Sequence, residues 1–152
     1  MTGRRLVAAV LGLFVVASVA YVIVDEATRS AAAPPADTAG DRLVAYYFHG
    51  QRRCKTCNAI EAYAKEALET AFPEEWRSGR LEWRTVNFDL EANAHYRERY
   101  GLFTSMVVLS DFRDGKERDW RDLDEVWGLV GDKAAFLAYV ERETRDFLAE
   151  AP

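Results

Sequence analysis

The longest apolar run of the chain lies at its amino terminus. Residues 6–24 read LVAAVLGLFVVASVAYVIV, nineteen positions without a charged side chain. An α-helix of about that length crosses the roughly 30 Å hydrocarbon core of a bilayer. Arg4 and Arg5 precede the run, whereas acidic residues follow it. The positive-inside rule therefore predicts that residues 1–5 form a cytoplasmic tip and that the rest of the chain is exported.

A cleaved signal peptide is the alternative to a transmembrane anchor. SVA at residues 18–20 offers small side chains of the kind found at cleavage sites. The apolar run continues past this site as far as Val24, which favours an uncleaved, single-pass anchor in the inner membrane with a periplasmic or otherwise extracytoplasmic domain. Residues 25–41 are rich in Ala, Pro, Asp and Thr. They offer little to bury and are predicted to form a flexible linker.

From residue 42 onward the spacing of apolar positions changes several times. Residues 42–49 are one apolar run of β-branched and aromatic side chains, typical of a buried central strand. Helical spacing follows the cysteines and ends at Pro73. Residues 81–89 alternate apolar and polar side chains, as a strand does. Trp83 in this strand, and Trp127 further along, are predicted to belong to the core.

The second half of the domain predicts four more elements. LEANAHYRERYG indicates a short helix closed by Gly101, and SMVVLSDF a third strand. RDGKE indicates a hairpin turn into a fourth strand around residues 118–121. Residues 132–148 indicate an amphipathic helix capped by Asp132. The order predicts an α/β domain over residues 42–150, with a central mixed sheet of about four strands flanked by helices.

Charge and composition exclude several classes of protein. The net charge is −5, and the basic residues cluster only locally at Arg52, Arg53 and Lys55. A dedicated nucleic-acid binder would carry a basic stripe, so no nucleic acid is expected as a partner. Two cysteines are too few for the disulfide framework of a small secreted scaffold.

Both cysteines, Cys54 and Cys57, lie in one CxxC motif between the first strand and its helix. Three interpretations are open: a static disulfide, half of a metal site, or a redox centre. A bridge across so short a loop constrains the unfolded chain very little, so it is a weak staple. A metal site could combine the cysteines with His49 and His95, the only imidazoles.

Of the three interpretations, a redox centre best explains the residues around the motif. The helix dipole and the cations Arg52, Arg53 and Lys55 favour a thiolate at the helix start. Cys54 is then the nucleophile and Cys57 the resolving thiol, and exchange between thiols and disulfides needs no cofactor. His49 is a candidate proton relay.

The domain resembles the thioredoxin superfamily from Arg42 to about Leu148, on the strand–CxxC–helix and on YGLFTSMVVL followed by a DG hairpin. In finer detail it is similar to a thioredoxin-like subunit family named alongside nitrophenyl-compound nitroreductases, on YYFHGQRRCKTC, IEAYAKEAL, VNFDLEAN and DLDEVWGLVGDKAAF. The resemblance implies a three-layer thioredoxin-like fold, protein thiols or disulfides as partners, and a multi-span, electron-exporting membrane protein among them. It implies a reductant relay. No part of the chain resembles a flavin or nicotinamide site.

The chain departs from the thioredoxin pattern at three places. Ser105 or Met106 stands where thioredoxins have a cis-proline opposite the CxxC, and Arg53 replaces the usual aromatic residue before the first cysteine. The first strand offers no acidic residue as a proton acceptor behind Cys57. These departures leave two alternatives open: a metal-handling subunit of the copper or iron–sulfur type, and a non-catalytic scaffold.

Overall fold

The computed structural model describes residues 41–150, in which four strands form one mixed sheet. β1 (Arg42–His49) pairs in parallel with β2 (Leu81–Asn87) and antiparallel with β3 (Met106–Arg113). β3 pairs antiparallel with β4 (Lys116–Asp122), so the sheet order is β2-β1-β3-β4. The predicted mixed sheet of four strands is confirmed.

Helices cover both faces of this sheet and give it three layers. The parallel connection from β1 to β2 runs through α1 (Lys55–Ala71) and α2 (Pro73–Ser78), and the C-terminal helix packs beside α1. This β-α-β unit followed by a hairpin and a helix is the thioredoxin-like fold that the sequence predicts. The helices are α1 (Lys55–Ala71), α2 (Pro73–Ser78), α3 (Ala94–Tyr100), α4 (Val126–Leu129) and α5 (Lys133–Glu150), with a 3-10 turn at Glu91–Asn93.

The central position of β1 explains its continuous apolar sequence. Alternate side chains point to opposite faces of a strand, and both faces of β1 are covered. Leu43, Ala45 and Tyr47 pack in the core cluster under α1 and α5. Tyr46 and Phe48 pack in the second cluster, under α3. Full burial of such a side chain contributes about 1.5–3 kcal/mol, so β1 anchors the domain.

The ends of the helices follow the predicted signals, with one addition. Pro73 ends α1, as predicted, but it also begins α2, because a proline in the first turn of a helix forfeits no intrahelical hydrogen bond. Gly101 closes α3 with a φ of 62°. Asp132 caps α5, its Oδ1 accepting from the N–H of Ala135 at 3.1 Å.

The prediction that Trp127 belongs to the core is wrong, whereas Trp83 does pack against the cluster beneath α1. Trp127 is 38% exposed and lies on α4. Its indole N–H donates to the backbone carbonyl of Ser105 at 2.9 Å. That hydrogen bond satisfies the polar edge of the indole, so the ring can stay at the surface beside β3.

The predicted amino-terminal segments lie outside the described residues. These are the cytoplasmic tip at 1–5, the anchor or signal sequence at 6–24, and the linker at 25–41 apart from its last residue. No helix between residues 41 and 150 has the length and apolar character to cross a membrane.

Candidate functional site

The candidate site lies where β1 gives way to α1. Cys54 directly precedes α1 and forms a disulfide with Cys57 in the first helical turn, with the two Cα atoms 5.0 Å apart. The backbone N–H of Cys57 donates to Sγ of Cys54 at 3.0 Å. The sulfur therefore occupies the place of a capping oxygen at the helix N-terminus. After reduction, the same N–H and the positive end of the helix dipole favour a thiolate on Cys54.

The two sulfurs differ in their access to solvent. Cys54 is exposed, whereas Cys57 is buried and only 7% exposed. An external thiol or disulfide therefore meets Cys54 at the surface, while Cys57 is held inward. This asymmetry agrees with the predicted roles of an attacking and a resolving cysteine.

Tyr47 supports the motif from beneath, and sequence reasoning missed it. Its hydroxyl donates to the backbone carbonyl oxygen of Cys57 at 2.7 Å within the core. Burial raises the pKa of Tyr47, although a hydrogen bond with Ser105 and the charge of Arg53 act in the opposite direction. The phenol therefore stays protonated and serves as a hydrogen-bond donor. Alternate side chains of a strand share a face, so Tyr47 lies on the face of β1 that packs against α1, together with Leu43 and Ala45. This alternation is the sequence signal that could have identified Tyr47.

The three predicted cations do not occupy equivalent places. Arg53 is ion-paired with Glu61 of α1 and lies over the ring of Tyr47, 5.8 Å from its centroid. Glu61 therefore offsets part of the positive charge that Arg53 brings to the motif. Arg52 and Lys55 are exposed, and neither forms an ion pair with another residue of the described range 41–150.

His49 lies near the motif without a hydrogen bond to either cysteine in the described structure. Its Nδ1 is 2.9 Å from the carbonyl oxygen of Gly50. A carbonyl only accepts, so Nδ1 carries the proton in this contact. The imidazole also stacks on Tyr47 at a centroid distance of 6.0 Å. The proposed proton relay through His49 stays a prediction.

Ser105 and Met106 lie at the start of β3, opposite the disulfide. Ser105 is buried and lines the same cavity as Cys57. Met106 pairs with Phe48 in the sheet register and is half-buried. All peptide bonds in the described part of the chain are trans, including the one before Ser105.

A cavity of about 570 Å³ opens beside Cys57. The loop before Cys54 forms one wall, and Asp89 holds that loop in place by accepting the N–H of Gln51 at 2.7 Å. A Cβ atom added at Gly50 would lie 2.9 Å from Oδ2 of Asp89, so a side chain at this position would displace the carboxylate of Asp89. Asp89 is in turn ion-paired with Arg97 of α3.

The predicted metal alternative lacks a ligand set within residues 41–150. No group of three or more His, Cys, Asp or Glu side chains in this range is arranged to hold a metal ion. His95 lies on α3 against the ring of Tyr96, with centroids 4.1 Å apart. It therefore belongs to a contact on another helix rather than to the disulfide.

No protein-family model matches the chain, and no curated protein does either. Among solved structures, it is similar to a thioredoxin from Fasciola hepatica at 22% identity, covering 66% of this chain and 80% of that one with a TM-score of 0.37. A thioredoxin from Malassezia sympodialis matches at 18% identity, over 69% and 77% of the two chains, with a TM-score of 0.40. Thioredoxin O2 of Arabidopsis thaliana in the oxidized state matches at 16%, over 63% and 76%, with a TM-score of 0.38.

At these identities and TM-scores, the fold assignment rests on this chain's own sheet order and on the position of its disulfide. The finer resemblance to the nitroreductase-associated subunit family is not confirmed and stays a prediction. The thioredoxin-like fold and the Cys54–Cys57 pair at a helix N-terminus support thiol–disulfide exchange as the chemistry of this site.

Proposed function

We propose that the chain is a thiol–disulfide oxidoreductase in which Cys54 exchanges with the partner and Cys57 resolves. The observation that carries this proposal is the position of Cys54, exposed at the N-terminus of α1 with its sulfur accepting the N–H of Cys57. Such a sulfur is both reachable and stabilised as a thiolate, which makes it a nucleophile and a good leaving group.

The reaction needs only two exchange steps. In the reducing direction, the thiolate of Cys54 attacks a partner disulfide, forms a mixed disulfide and releases one partner thiolate. The thiolate of Cys57 then attacks Sγ of Cys54, which forms the Cys54–Cys57 disulfide and releases the second partner thiolate. Two electrons pass from the dithiol to the partner, and the protons exchange with solvent.

We further propose that this domain works as a reductant relay on the exported side of the inner membrane. The uncharged run at 6–24, preceded by arginines, supports a single-pass tether, and residues 25–41 supply the linker. The resemblance to the subunit family named alongside nitrophenyl-compound nitroreductases supports a multi-span, electron-exporting membrane protein as the electron donor.

The first test is a redox titration of the full chain in detergent. The protein is equilibrated in glutathione and then dithiothreitol buffers, its thiols are modified with a maleimide, and the reduced fraction is read by mass. We expect one two-electron couple, in which the ratio of reduced to oxidised protein changes tenfold in about 30 mV. A bound metal that protects both thiols from the maleimide, measured on the same sample, would overturn the proposal.

A second experiment tests the location. Cells expressing the full chain are permeabilised at the outer membrane, reduced, and treated with a membrane-impermeant maleimide before and after the inner membrane is disrupted. If the domain is exported, the reagent should label Cys54 in cells whose outer membrane is permeabilised and whose inner membrane is intact, because it need not cross the inner membrane. Labelling that requires disruption of the inner membrane would place the domain in the cytoplasm and contradict the tethered orientation.

A further inference from the structure

Two depressions meet at the loop that faces the disulfide, and their linings differ in chemistry. The first is the 570 Å³ cavity beside Cys57, bordered by Arg52. The second is an apolar groove of about 340 Å³. Its lining consists of Phe103, Thr104, Met106, Leu123, Asp124 and Trp127. Phe103 and Thr104 border both depressions, so the two are neighbours, and we refer to them together as the double groove.

We propose that this double groove selects polypeptide partners that present an acidic side chain on one side of the reacting cysteine and a large apolar side chain on the other. The inference rests on the proposed exchange function and names the class of partner for the same site.

The acidic preference follows from the charges around the first cavity. Arg97 borders it but is already paired with Asp89. Arg52 borders it as well and forms no ion pair with any other residue between 41 and 150. The guanidinium of Arg52 is therefore available to pair with an anionic group that enters the cavity. Arg52 and Lys55, the exposed cations beside the disulfide that form no ion pair within residues 41–150, make this part of the surface locally positive although the net charge of the chain is −5, so they favour an acidic segment here.

The apolar preference follows from the side chains left in water beside the second groove. Phe103 is 85% exposed, the largest exposure among the large apolar residues of the described range. Trp127 is 38% exposed, and its hydrogen bond to the carbonyl of Ser105 fixes the indole as a rigid wall. Covering such surface with an apolar side chain removes it from water, and the rigid wall loses little conformational entropy on binding.

Ser105 links the two parts in space. It borders the first cavity together with Cys57, and its carbonyl holds Trp127 of the second groove. A peptide that occupies both parts therefore crosses the loop beside Ser105, next to the disulfide. We therefore assign the acidic side chain to the first cavity, which Arg52 borders, and the apolar side chain to the second groove beyond Ser105, on the other side of the reacting cysteine.

The test uses synthetic peptides with one cysteine carried as a mixed disulfide with 5-thio-2-nitrobenzoate. The full chain is reduced with dithiothreitol, freed of it, and mixed with each peptide. Cys54 attacks the peptide sulfur and releases coloured 5-thio-2-nitrobenzoate, after which Cys57 releases the peptide thiolate. The panel places Glu, Gln or Lys on one side of the cysteine and Leu or Ala on the other, in both orders along the chain.

We expect the peptide with Glu and Leu, in one of the two orders, to react fastest. The Glu peptide should react about fivefold faster than its Lys counterpart at low salt, and salt should reduce that ratio because exposed charges are screened. Leu should exceed Ala by about fivefold, the effect of a few methylene groups in a half-open groove.

Matched variants assign each preference to its part of the groove. Arg52→Gln should bring the ratio of the reaction rates of the Glu and Lys peptides close to one. Lys55→Gln should leave this ratio unchanged, because Lys55 is also an exposed cation near Cys54 but does not border the cavity. Phe103→Ala should abolish the ratio of Leu to Ala peptides. Leu90→Ala, at a residue that is 51% exposed and lies outside both depressions, should retain it.

The outcomes separate this inference from the proposed function. Equal rates for all peptides, or ratios that survive in Arg52→Gln and Phe103→Ala, overturn the partner preference but leave exchange intact. The same holds if the mixed disulfide of glutathione with 5-thio-2-nitrobenzoate reacts faster than every peptide, because the groove then serves a small thiol. No release of 5-thio-2-nitrobenzoate from any peptide by the reduced chain contradicts the exchange function itself.

Discussion

The hydroxyl of Tyr47 donates a hydrogen bond of 2.7 Å to the backbone carbonyl oxygen of Cys57. Tyr47 belongs to the central strand and is fully buried, whereas Cys57 lies in the first turn of α1. The buried central strand of the sheet is thereby tied to the turn that carries the resolving thiol. Tyr47 contacts the backbone of Cys57 and not a reacting sulfur, so we regard it as a positioning residue.

Removal of this hydroxyl should slow resolution more than attack. In Tyr47→Phe the ring remains, but the carbonyl loses a buried donor, which should lower the free energy of unfolding by about 0.5–1.5 kcal/mol. A less restrained Cys57 should also close the disulfide several-fold more slowly. The measurement is the single-turnover decay of a mixed disulfide between Cys54 and an activated peptide.

Tyr63→Phe is the matched control for this prediction. Tyr63 is a half-buried tyrosine of α1, the helix that carries Cys57, and its hydroxyl makes no hydrogen bond within the described part of the chain. This variant should leave the decay unchanged. Equal decay rates in the wild type and in Tyr47→Phe would show that the hydrogen bond does not position Cys57.

The exposure difference between the cysteines predicts opposite outcomes for the two serine variants. Cys54→Ser should abolish exchange, because the exposed nucleophile is lost. Cys57→Ser should still attack but should accumulate mixed disulfides that reducing agents release. Non-reducing electrophoresis of membranes from cells expressing each full-length variant distinguishes the two. Mixed disulfides in Cys54→Ser in place of Cys57→Ser would reverse the assigned roles.

Glu61 should tune the reduction potential through Arg53, with which it is ion-paired. In Glu61→Gln the offsetting negative charge disappears, so the thiolates of the reduced form become more stable. The reduction potential should therefore rise, by about 10–20 mV for an effect of about 0.5–1 kcal/mol. Glu66→Gln is the control, because Glu66 lies on the same helix but pairs with Lys133 at 2.8 Å. A fall in potential in Glu61→Gln would contradict this account.

The strand–CxxC–helix unit can be predicted from the sequence because the spacing of apolar residues changes from that of a strand to that of a helix at the cysteines. Residues 42–49 were readable as a central strand because a strand buried on both faces has no polar alternation. The boundary at Pro73 was readable for the same local reason, but α2 was not, since six residues are too few to show helical spacing.

The contacts that complete the site were harder to predict, because they join elements that are distant in the chain. The pairing of Arg53 with Glu61 depends on how the loop before Cys54 folds back over α1. Trp127 was assigned to the core on its apolar character alone. Its surface position depends on a hydrogen bond to the carbonyl of Ser105, which no local pattern reveals.

A side chain at Gly50 should displace the carboxylate of Asp89 from its present contacts. In Gly50→Ala the new Cβ would lie 2.9 Å from Oδ2 of Asp89, which the N–H of Gln51 and the guanidinium of Arg97 hold in place. Because the exposed carboxylate can shift and weaken only its contacts with Gln51 and Arg97, we expect a loss of about 0.5–1 kcal/mol in the free energy of unfolding, measured by urea denaturation. Gly128→Ala is the control, since a Cβ at Gly128 meets no atom within 4 Å.

A double-mutant cycle tests whether Asp89 is the cause. In the Asp89→Ala background the obstructing carboxylate is absent, so Gly50→Ala should add little further destabilisation. An additive loss in the double variant would show that the loop rejects alanine for a reason other than the contact with Asp89.

Buried tyrosines should make the domain unstable in alkali. Burial raises the pKa of Tyr47 and Tyr100 above the ordinary value, and burial also raises the pKa of Tyr139 to about 12. A raised pKa in the folded state means that the unfolded chain loses its protons first as the pH rises. The stability that these groups contribute is therefore fully present below about pH 10 and is lost as the pH rises through the folded values.

The expected result is a free energy of unfolding that falls as the pH rises above about 10. Each such tyrosine adds up to about 1.4 kcal/mol per pH unit to the slope, so Tyr139→Phe should flatten it by up to that amount between about pH 10 and 12. Urea denaturation at a series of pH values measures the slope, and tyrosinate absorbance follows ionisation. A single tyrosinate transition with its midpoint near pH 10 for all tyrosines, in a chain that is still folded, would contradict the predicted protection of these hydroxyls by burial.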